Sequence, residues 1–312
     1  MQSAAPLSSC HLSPYSPSPP FPSQPTGRWA DTISFPPPSL PVSITDMGRL
    51  EDTFARCKAE GRAAFVSYVS AGDPDAATSA EILLSLARSG ADILEVGVPF
   101  SDPLADGLTN QLAAQRALEA GMTHEGLLEV LRKVRAGTDK PLVLYTYYNL
   151  LYSRGLGATC KALRAAGADA LLTLDCPPEE AGDLLAACKA EGLQAIFIIA
   201  PTTPPARMAA IAKVASGFIY YVSRAGVTGE RKDLAADLAA SVAEIRRHTT
   251  LPVCVGFGIS TPEQVAAVAK VADGVVVGSA LVNVVAANRP TPGKAAEAVG
   301  ARCRELAAGL RR

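Results

Sequence analysis

Histidine is scarce in this 312-residue chain, with three in all, and tryptophan occurs once. His11, His124 and His248 lie far apart in sequence, which gives no basis for the multi-histidine site of a metal-dependent aldolase. The seven cysteines (10, 57, 160, 176, 188, 254 and 303) contain no C-x-x-C pair. An odd, scattered set of this kind reads as buried thiols in a reducing compartment. No apolar run reaches the roughly 18–20 uncharged residues that span a bilayer. A formal charge of −1 gives no electrostatic basis for binding nucleic acid or an anionic membrane.

Proline and serine are unevenly spread. Residues 1–46 hold 11 of the 24 prolines and ten serines, with no acidic residue before Asp31, so this segment is expected to be a disordered extension. It reads either as sequence upstream of a true start at Met47 or as a plastid transit peptide. A single arginine and no lysine stand against the second reading. The cytoplasm is the expected location, and the plastid is the alternative if residues 1–46 are a transit peptide. Residues 47–312 are expected to form one catalytic domain, close in size to the roughly 250 residues of a (β/α)8 barrel.

From Met47 onward, short apolar runs alternate with helical patterns. Eight runs are predicted strands: Ala64–Ser70, Asp92–Val98, Leu142–Tyr147, Ala170–Leu174, Gln194–Ile199, Phe218–Val222, Pro252–Gly256 and Gly274–Val277. They are nearly continuously apolar, as parallel strands buried on both faces are. Between them, Thr78-Ser79-Ala80-Glu81 reads as a capping box, with Gly90 as the stop of the same helix. Thr261-Pro262-Glu263-Gln264 has a cap, a proline at the first helical position and a glutamine at the third. Pro178-Glu179-Glu180 is expected to start a helix running to Gly192, residues 108–136 to hold two helices, and Gly293–Leu310 to close the chain. Gly90-Ala91-Asp92, Gly167-Ala168-Asp169 and Ala272-Asp273 form a weak repeat before strands, as do Gly192 and Gly217. Eight such units favour a TIM barrel, with extra N-terminal and loop helices, over a long doubly wound sheet.

Barrels of this kind carry their chemistry where strands end and loops begin. Glu95 sits inside the second apolar run, where an unpaired carboxylate is costly and its pKa should rise toward the range of a general acid–base. Its alternative is a structural carboxylate paired with a hydroxyl or an arginine. Asp106, in the following loop, is placed to accept a substrate N–H, or else to cap the loop. Asp102 and Asp175 have turn or cap roles as equal alternatives, and Asp73 reads as a turn or helix cap. Tyr68, Tyr147 and Tyr220 end strands 1, 3 and 6, where they line either an apolar pocket for an aromatic group or the ordinary core.

Three glycine-rich loops follow strands 6, 7 and 8: Ser223–Gly229, Gly256–Ser260 and Val277–Ala280. Glycines there bring backbone N–H groups and a helix N-terminus close to an anion, which points to a phosphorylated substrate. Tight strand-to-helix turns are the plainer explanation for any one of them. None of the eight strand ends supplies a lysine for a Schiff base or for pyridoxal phosphate. What remains is acid–base chemistry without a cofactor in this chain.

The run Leu94-Glu95-Val96-Gly97-Val98-Pro99-Phe100-Ser101-Asp102-Pro103-Leu104-Ala105-Asp106-Gly107 resembles the signature of the tryptophan synthase alpha subunit. Ala71-Gly72-Asp73-Pro74, Tyr221–Gly229, Gly256–Ser260 and Gly278-Ser279-Ala280 match in the same order, so the resemblance covers about residues 47–310. It implies retro-aldol cleavage of indole-3-glycerol phosphate, the alpha-chain half of the last step of tryptophan biosynthesis. Glu95 would be the acid–base, and Asp106 would hold the indole N–H and the charge that develops on the ring. The resemblance places Tyr220 at the site and Gly229, Gly258, Gly278 and Ser279 around the phosphate. Tyr68 stands where the family often has phenylalanine. Thr228 and Phe257 complete the expected substrate-binding set with Tyr147. The implied partner is a beta subunit that uses pyridoxal phosphate, in an α2β2 heterotetramer. One departure is local: Leu108 and Asn110 replace the proline and isoleucine usual in relatives. A free-standing indole-3-glycerol phosphate lyase and a sugar-phosphate isomerase or binding barrel are the alternatives.

Overall fold

Ala64–Ser70 is buried at every position, and several later strands are buried along their whole length as well. Such strands need cover on both faces, which a parallel sheet obtains from crossover helices. The computed structural model describes residues 48–223, 232–256 and 258–310. In it, eight parallel strands pair in sequence order and the eighth closes on the first. They are β1 (Ala64–Ser70), β2 (Ile93–Gly97), β3 (Leu142–Thr146), β4 (Ala170–Thr173), β5 (Gln194–Ile199), β6 (Ile219–Val222), β7 (Val253–Gly256) and β8 (Gly274–Val277). The fold is the TIM barrel read from the sequence, with every strand end within one residue of its expected place. The proline-rich segment lies outside the described residues.

The helices are α1 (Arg49–Ala59), α2 (Ala76–Arg88), α3 (Leu108–Glu119), α4 (His124–Gly137), α5 (Tyr148–Tyr152) and α6 (Leu156–Ala165). They continue with α7 (Gly182–Glu191), α8 (Pro205–Val214), α9 (Lys232–Arg246), α10 (Pro262–Ala269), α11 (Ser279–Ala287) and α12 (Pro292–Ala307). No helix among the described residues is long and apolar enough to cross a membrane.

Local signals set most helix boundaries. The capping box at Thr261 is complete, with Thr261 Oγ1 accepting the Gln264 N–H and Gln264 Oε1 accepting the Thr261 N–H. Gly90, Gly167, Gly192 and Gly217 all have positive φ at their helix-to-strand turns. Two helix starts differ from expectation. The box at Thr78–Glu81 does not form, because Asp75 caps α2 and accepts both the N–H and the hydroxyl of Thr78, at 2.8 and 2.6 Å. An ionised cap complements the helix dipole, so the aspartate outcompetes the threonine three residues later. Pro178-Glu179-Glu180 is a turn and α7 begins at Gly182, since the fixed φ of proline suits a turn as well as a first helical turn.

The two ends of the barrel differ. Inside it, Ala64, Val66, Ile93, Leu172, Ile196 and Phe218 form an apolar layer. Helix α1 closes the lower end, adding Leu50, Phe54 and Cys57, with the Phe54 ring edge-on to Phe218 at 5.8 Å. The repeat aspartates also work at this end. Asp92, Asp169 and Asp273 accept the N–H groups of Phe65, Leu142 and Val253, each at 2.9 Å. Each also holds an arginine, with Arg62 at 2.6 Å, Arg135 at 2.7 Å and Arg246 at 2.9 Å. Burial pushes the Asp92 carboxyl up, but the Arg62 guanidinium and the Phe65 N–H outweigh it and hold the group below the ordinary carboxylate range.

Candidate active site

Alternation along the strands puts Tyr68, Glu95, Tyr145, Leu174, Ile198 and Tyr220 on the inner face above the apolar layer. With Gly258, Gly278 and Ser279 they line a cavity of about 280 Å³ at the ends of the strands. Glycines in the strands make room for the tyrosines. A methyl group at Gly97 would collide with the Tyr68 hydroxyl, and one at Gly256 would stand 2.6 Å from the Tyr220 hydroxyl. A larger recess of about 690 Å³ opens among Lys58, Arg62, Arg246 and Asp273 near the lower end. Its arginines are already spent on Asp92 and Asp273, and it holds no carboxylate without a cation.

Glu95 pairs in register with Tyr68 of β1 and Val143 of β3 and is 1% exposed. Its Oε1 has no hydrogen-bond partner among the described residues. Burial, and then the negative charge of Asp106, push its carboxyl up to about 8. At neutral pH the group therefore holds its proton, yet lies close enough to neutrality to exchange it. That is the condition for acid–base work.

Asp106 stands beside the cavity, between Ala105 and Gly107, which line it. Its two oxygens accept the hydroxyls of Tyr145, at 2.8 Å, and Tyr147, at 2.7 Å. Burial and the adjacent carboxylate push both phenols well up, so they stay protonated and donate. The Asn110 amide adds a longer contact to Oδ1 at 3.4 Å. A carboxylate offers about four acceptor positions, so one remains for a ligand.

Sequence reading and structure part company at several residues. Tyr147 does not line the cavity: its hydroxyl holds Asp106 and accepts the Ala105 N–H at 3.1 Å, and its ring packs on Phe100. Tyr145 reads in the sequence as one more residue of an apolar run. Its place two residues after inward-facing Val143 is the available signal, because strand period two turns it inward. Asp73 is not a cap. It binds Arg116 of α3 through both oxygens, at 2.8 and 2.6 Å, which ties the loop after β1 to that helix. Asp175 accepts the Tyr148 N–H at 2.7 Å and so caps α5 of the preceding unit rather than its own next helix. Asp102 is an exposed turn residue bonded to Ser101. His124 begins α4, and His248 lies in the turn after α9, 3.3 Å from Glu244.

The glycine loops are partly described. Gly258 has φ +70, and Gly278 is the N-cap of α11, with Ser279 its first residue. These three come together at the cavity, where the positive end of α11 meets it. Thr228, Gly229 and Phe257 lie outside the described residues.

Residues 54–311 match the sequence family described as Tryptophan synthase alpha chain. Among individual proteins, the chain is 54% identical over 266 residues to the tryptophan synthase alpha chain of Opitutus terrae, covering 85% of this chain and all of that one. It is 49% identical over 264 residues to that of Caulobacter sp. strain K31, covering 84% of this chain and 96% of the relative. The crystal structure of tryptophan synthase subunit alpha from Legionella pneumophila superposes with a TM-score of 0.79 at 34% identity, over 85% of this chain and 99% of that one. A structure of Mycobacterium tuberculosis tryptophan synthase gives 0.77 at 37% identity, over 86% of this chain and 100% of that one. With half its residues shared across the full length of such relatives, and the family match spanning the barrel, the chain belongs to the tryptophan synthase alpha chain family.

Proposed function

We propose that this chain is a carbon–carbon lyase that cleaves indole-3-glycerol phosphate to indole and glyceraldehyde 3-phosphate, with Glu95 and Asp106 as its catalytic pair. The observation that carries the reading is Glu95: buried, unpartnered at Oε1, protonated at neutral pH, and set in a cavity next to a second carboxylate. Glu95 gives its proton to C3 of the ring, which leaves a positive charge shared with the ring nitrogen. Asp106 accepts the N–H and stabilises that charge where it develops. The Glu95 carboxylate then takes the proton of the glycerol hydroxyl. The C–C bond breaks, its electron pair returns to the ring, and the C–O bond becomes the aldehyde. Glu95 ends as it began, protonated.

Tyr68 and Tyr220 flank the aromatic group, and Gly258, Gly278 and Ser279, with Gly229, receive the phosphate. Thr228 and Phe257 belong to the same substrate loops, and Tyr147 acts through Asp106. Pyridoxal phosphate is assigned to a beta subunit, as the family resemblance implies. The partner assembly is α2β2. A partner surface, though not its stoichiometry, is supported by exposed apolar side chains, Leu104, Leu108, Leu112 and Tyr152, on the loops and helices that follow β2 and β3.

The test is indole release from indole-3-glycerol phosphate by the purified chain, with and without beta subunit. Indole release stimulated by the partner is expected. Release that the partner leaves unchanged would favour a free-standing lyase, and no release in either case would return the chain to the sugar-phosphate barrels.

A further inference from the structure

Asn110 is the third residue of α3 and lines the cavity. Its amide nitrogen faces Asp106 Oδ1 at 3.4 Å. That orientation leaves its carbonyl oxygen buried and, among the described residues, without a donor. A buried acceptor without a partner is costly, and an aliphatic residue of similar size would avoid that cost. Asn110 and Glu95 line the same cavity, and each carries a buried oxygen without a partner among the described residues. Both are therefore groups whose partner is the bound molecule.

A donor on the substrate must reach this oxygen. With Asp106 taking the ring N–H, the amide bonded to Asp106 stands beside the same edge of the indole. The nearest six-membered-ring carbon that can carry a substituent is C7, one bond beyond the ring-fusion carbon that holds the nitrogen. A hydroxyl or amino group there projects next to the N–H, toward Asn110.

We propose that Asn110 is a specificity-determining residue that lets this enzyme take indole rings carrying a hydrogen-bond donor beside the ring nitrogen, by accepting that donor at Oδ1. The inference rests on the assignment of Asp106 to the ring N–H. It extends the substrate class from indole itself to 7-hydroxy- and 7-aminoindoles. A pocket that pairs a substrate hydroxyl discriminates far more strongly than one that merely has room for it.

The reverse condensation tests it, using the full chain with beta subunit present and serine omitted. There the ring C3 attacks the aldehyde of glyceraldehyde 3-phosphate, the C3 proton passes to Glu95, and the aldehyde oxygen gains a proton, so no other reactant is needed. The quantity measured is the ratio of kcat/KM for 7-hydroxyindole to that for indole. In Asn110→Ile this ratio is expected to fall by about 10-fold or more, the equivalent of one lost hydrogen bond. Asn110→Ala removes the amide without adding bulk and should lower the ratio in the same sense, so the test survives if either variant fails to fold. With 5-hydroxyindole, whose hydroxyl lies across the ring, the ratio should move less. A wild-type ratio for 7-hydroxyindole in both variants overturns the proposal. Asp106→Asn, assayed on indole alone, separates the two layers. If it retains full kcat/KM, the assignment of Asp106 falls and this inference falls with it. If it is inactive while the Asn110 ratio is unmoved, the inference alone is overturned.

Discussion

Asp92 and Glu95 stand three residues apart on one apolar run and are about equally buried, at 2% and 1% exposure, yet burial has opposite outcomes for them. Asp92 meets Arg62 through both guanidinium nitrogens, Arg56 at 3.3 Å and the Phe65 N–H, and its carboxyl is held below the ordinary range. Among the described residues Glu95 meets no cation. It faces the Asp106 charge across a tyrosine-lined cavity, and its carboxyl rises to about 8. One end of the strand uses a carboxylate to pin the barrel, and the other keeps one ready to exchange a proton. Desolvation acts on both, and the partners decide the sign.

The contrast can be broken at either end. The largest effect is expected for Glu95→Gln, which keeps the shape but cannot transfer a proton. It should bind indole-3-glycerol phosphate and lose turnover by about 10³-fold or more, in line with positioned acid–base catalysis. Near-normal kcat in that variant would end the role given to Glu95. Next comes Asp92→Ala, which takes the main partner from half-buried Arg62 and removes the acceptor of the Phe65 N–H. It should cost about 3–5 kcal/mol in denaturant unfolding while leaving the cavity intact. A loss within about 0.5 kcal/mol, the range of ordinary surface substitutions, would show that the lower face does not depend on it.

The same two groups should give opposite pH dependences. Glu95 has a folded value raised from 4.5 to about 8, so the native state binds the extra proton between those limits. Its burial therefore costs nothing below pH 4.5, costs more as pH rises toward 8, at about 1.4 kcal/mol per unit, and is constant above that. Glu95→Gln should accordingly gain a few kcal/mol over wild type at pH 9 and almost nothing at pH 4, measured as the difference in unfolding free energy. Asp92 has its folded value lowered. Its contribution is complete above the unfolded carboxylate range and is lost as pH falls through the folded value, so Asp92→Ala should matter least in acid. The smallest effect is expected for Thr261→Ala, which removes one half of the capping box at the start of α10. About 1 kcal/mol of stability should go, with kcat unmoved.

Much of this was legible before any fold was known. Strand and helix positions follow from local period and caps, so the eight strands were placed within a residue. Glu95 stood out because a carboxylate inside an apolar run is costly wherever the run folds. Tyr145 was missed because an aromatic in a strand looks the same whether it fills a core or donates to Asp106. The sequence offers only local turn or cap roles for Asp73 and Asp175, because their partners, Arg116 and Tyr148, lie 43 and 27 residues away. Asp75 was overlooked beside a threonine that satisfies the same cap pattern.

The amino-acid order alone determined the barrel and singled out Glu95, since hydrophobic period and the cost of burying charge act within a few residues. Tertiary structure decided which carboxylates would be neutralised. Arg62 reaches Asp92 from 30 residues away, and Tyr145 and Tyr147 reach Asp106 from 39 and 41. Hydrogen bonds and charge interactions fall off with distance in space, and that distance exists once the barrel has closed.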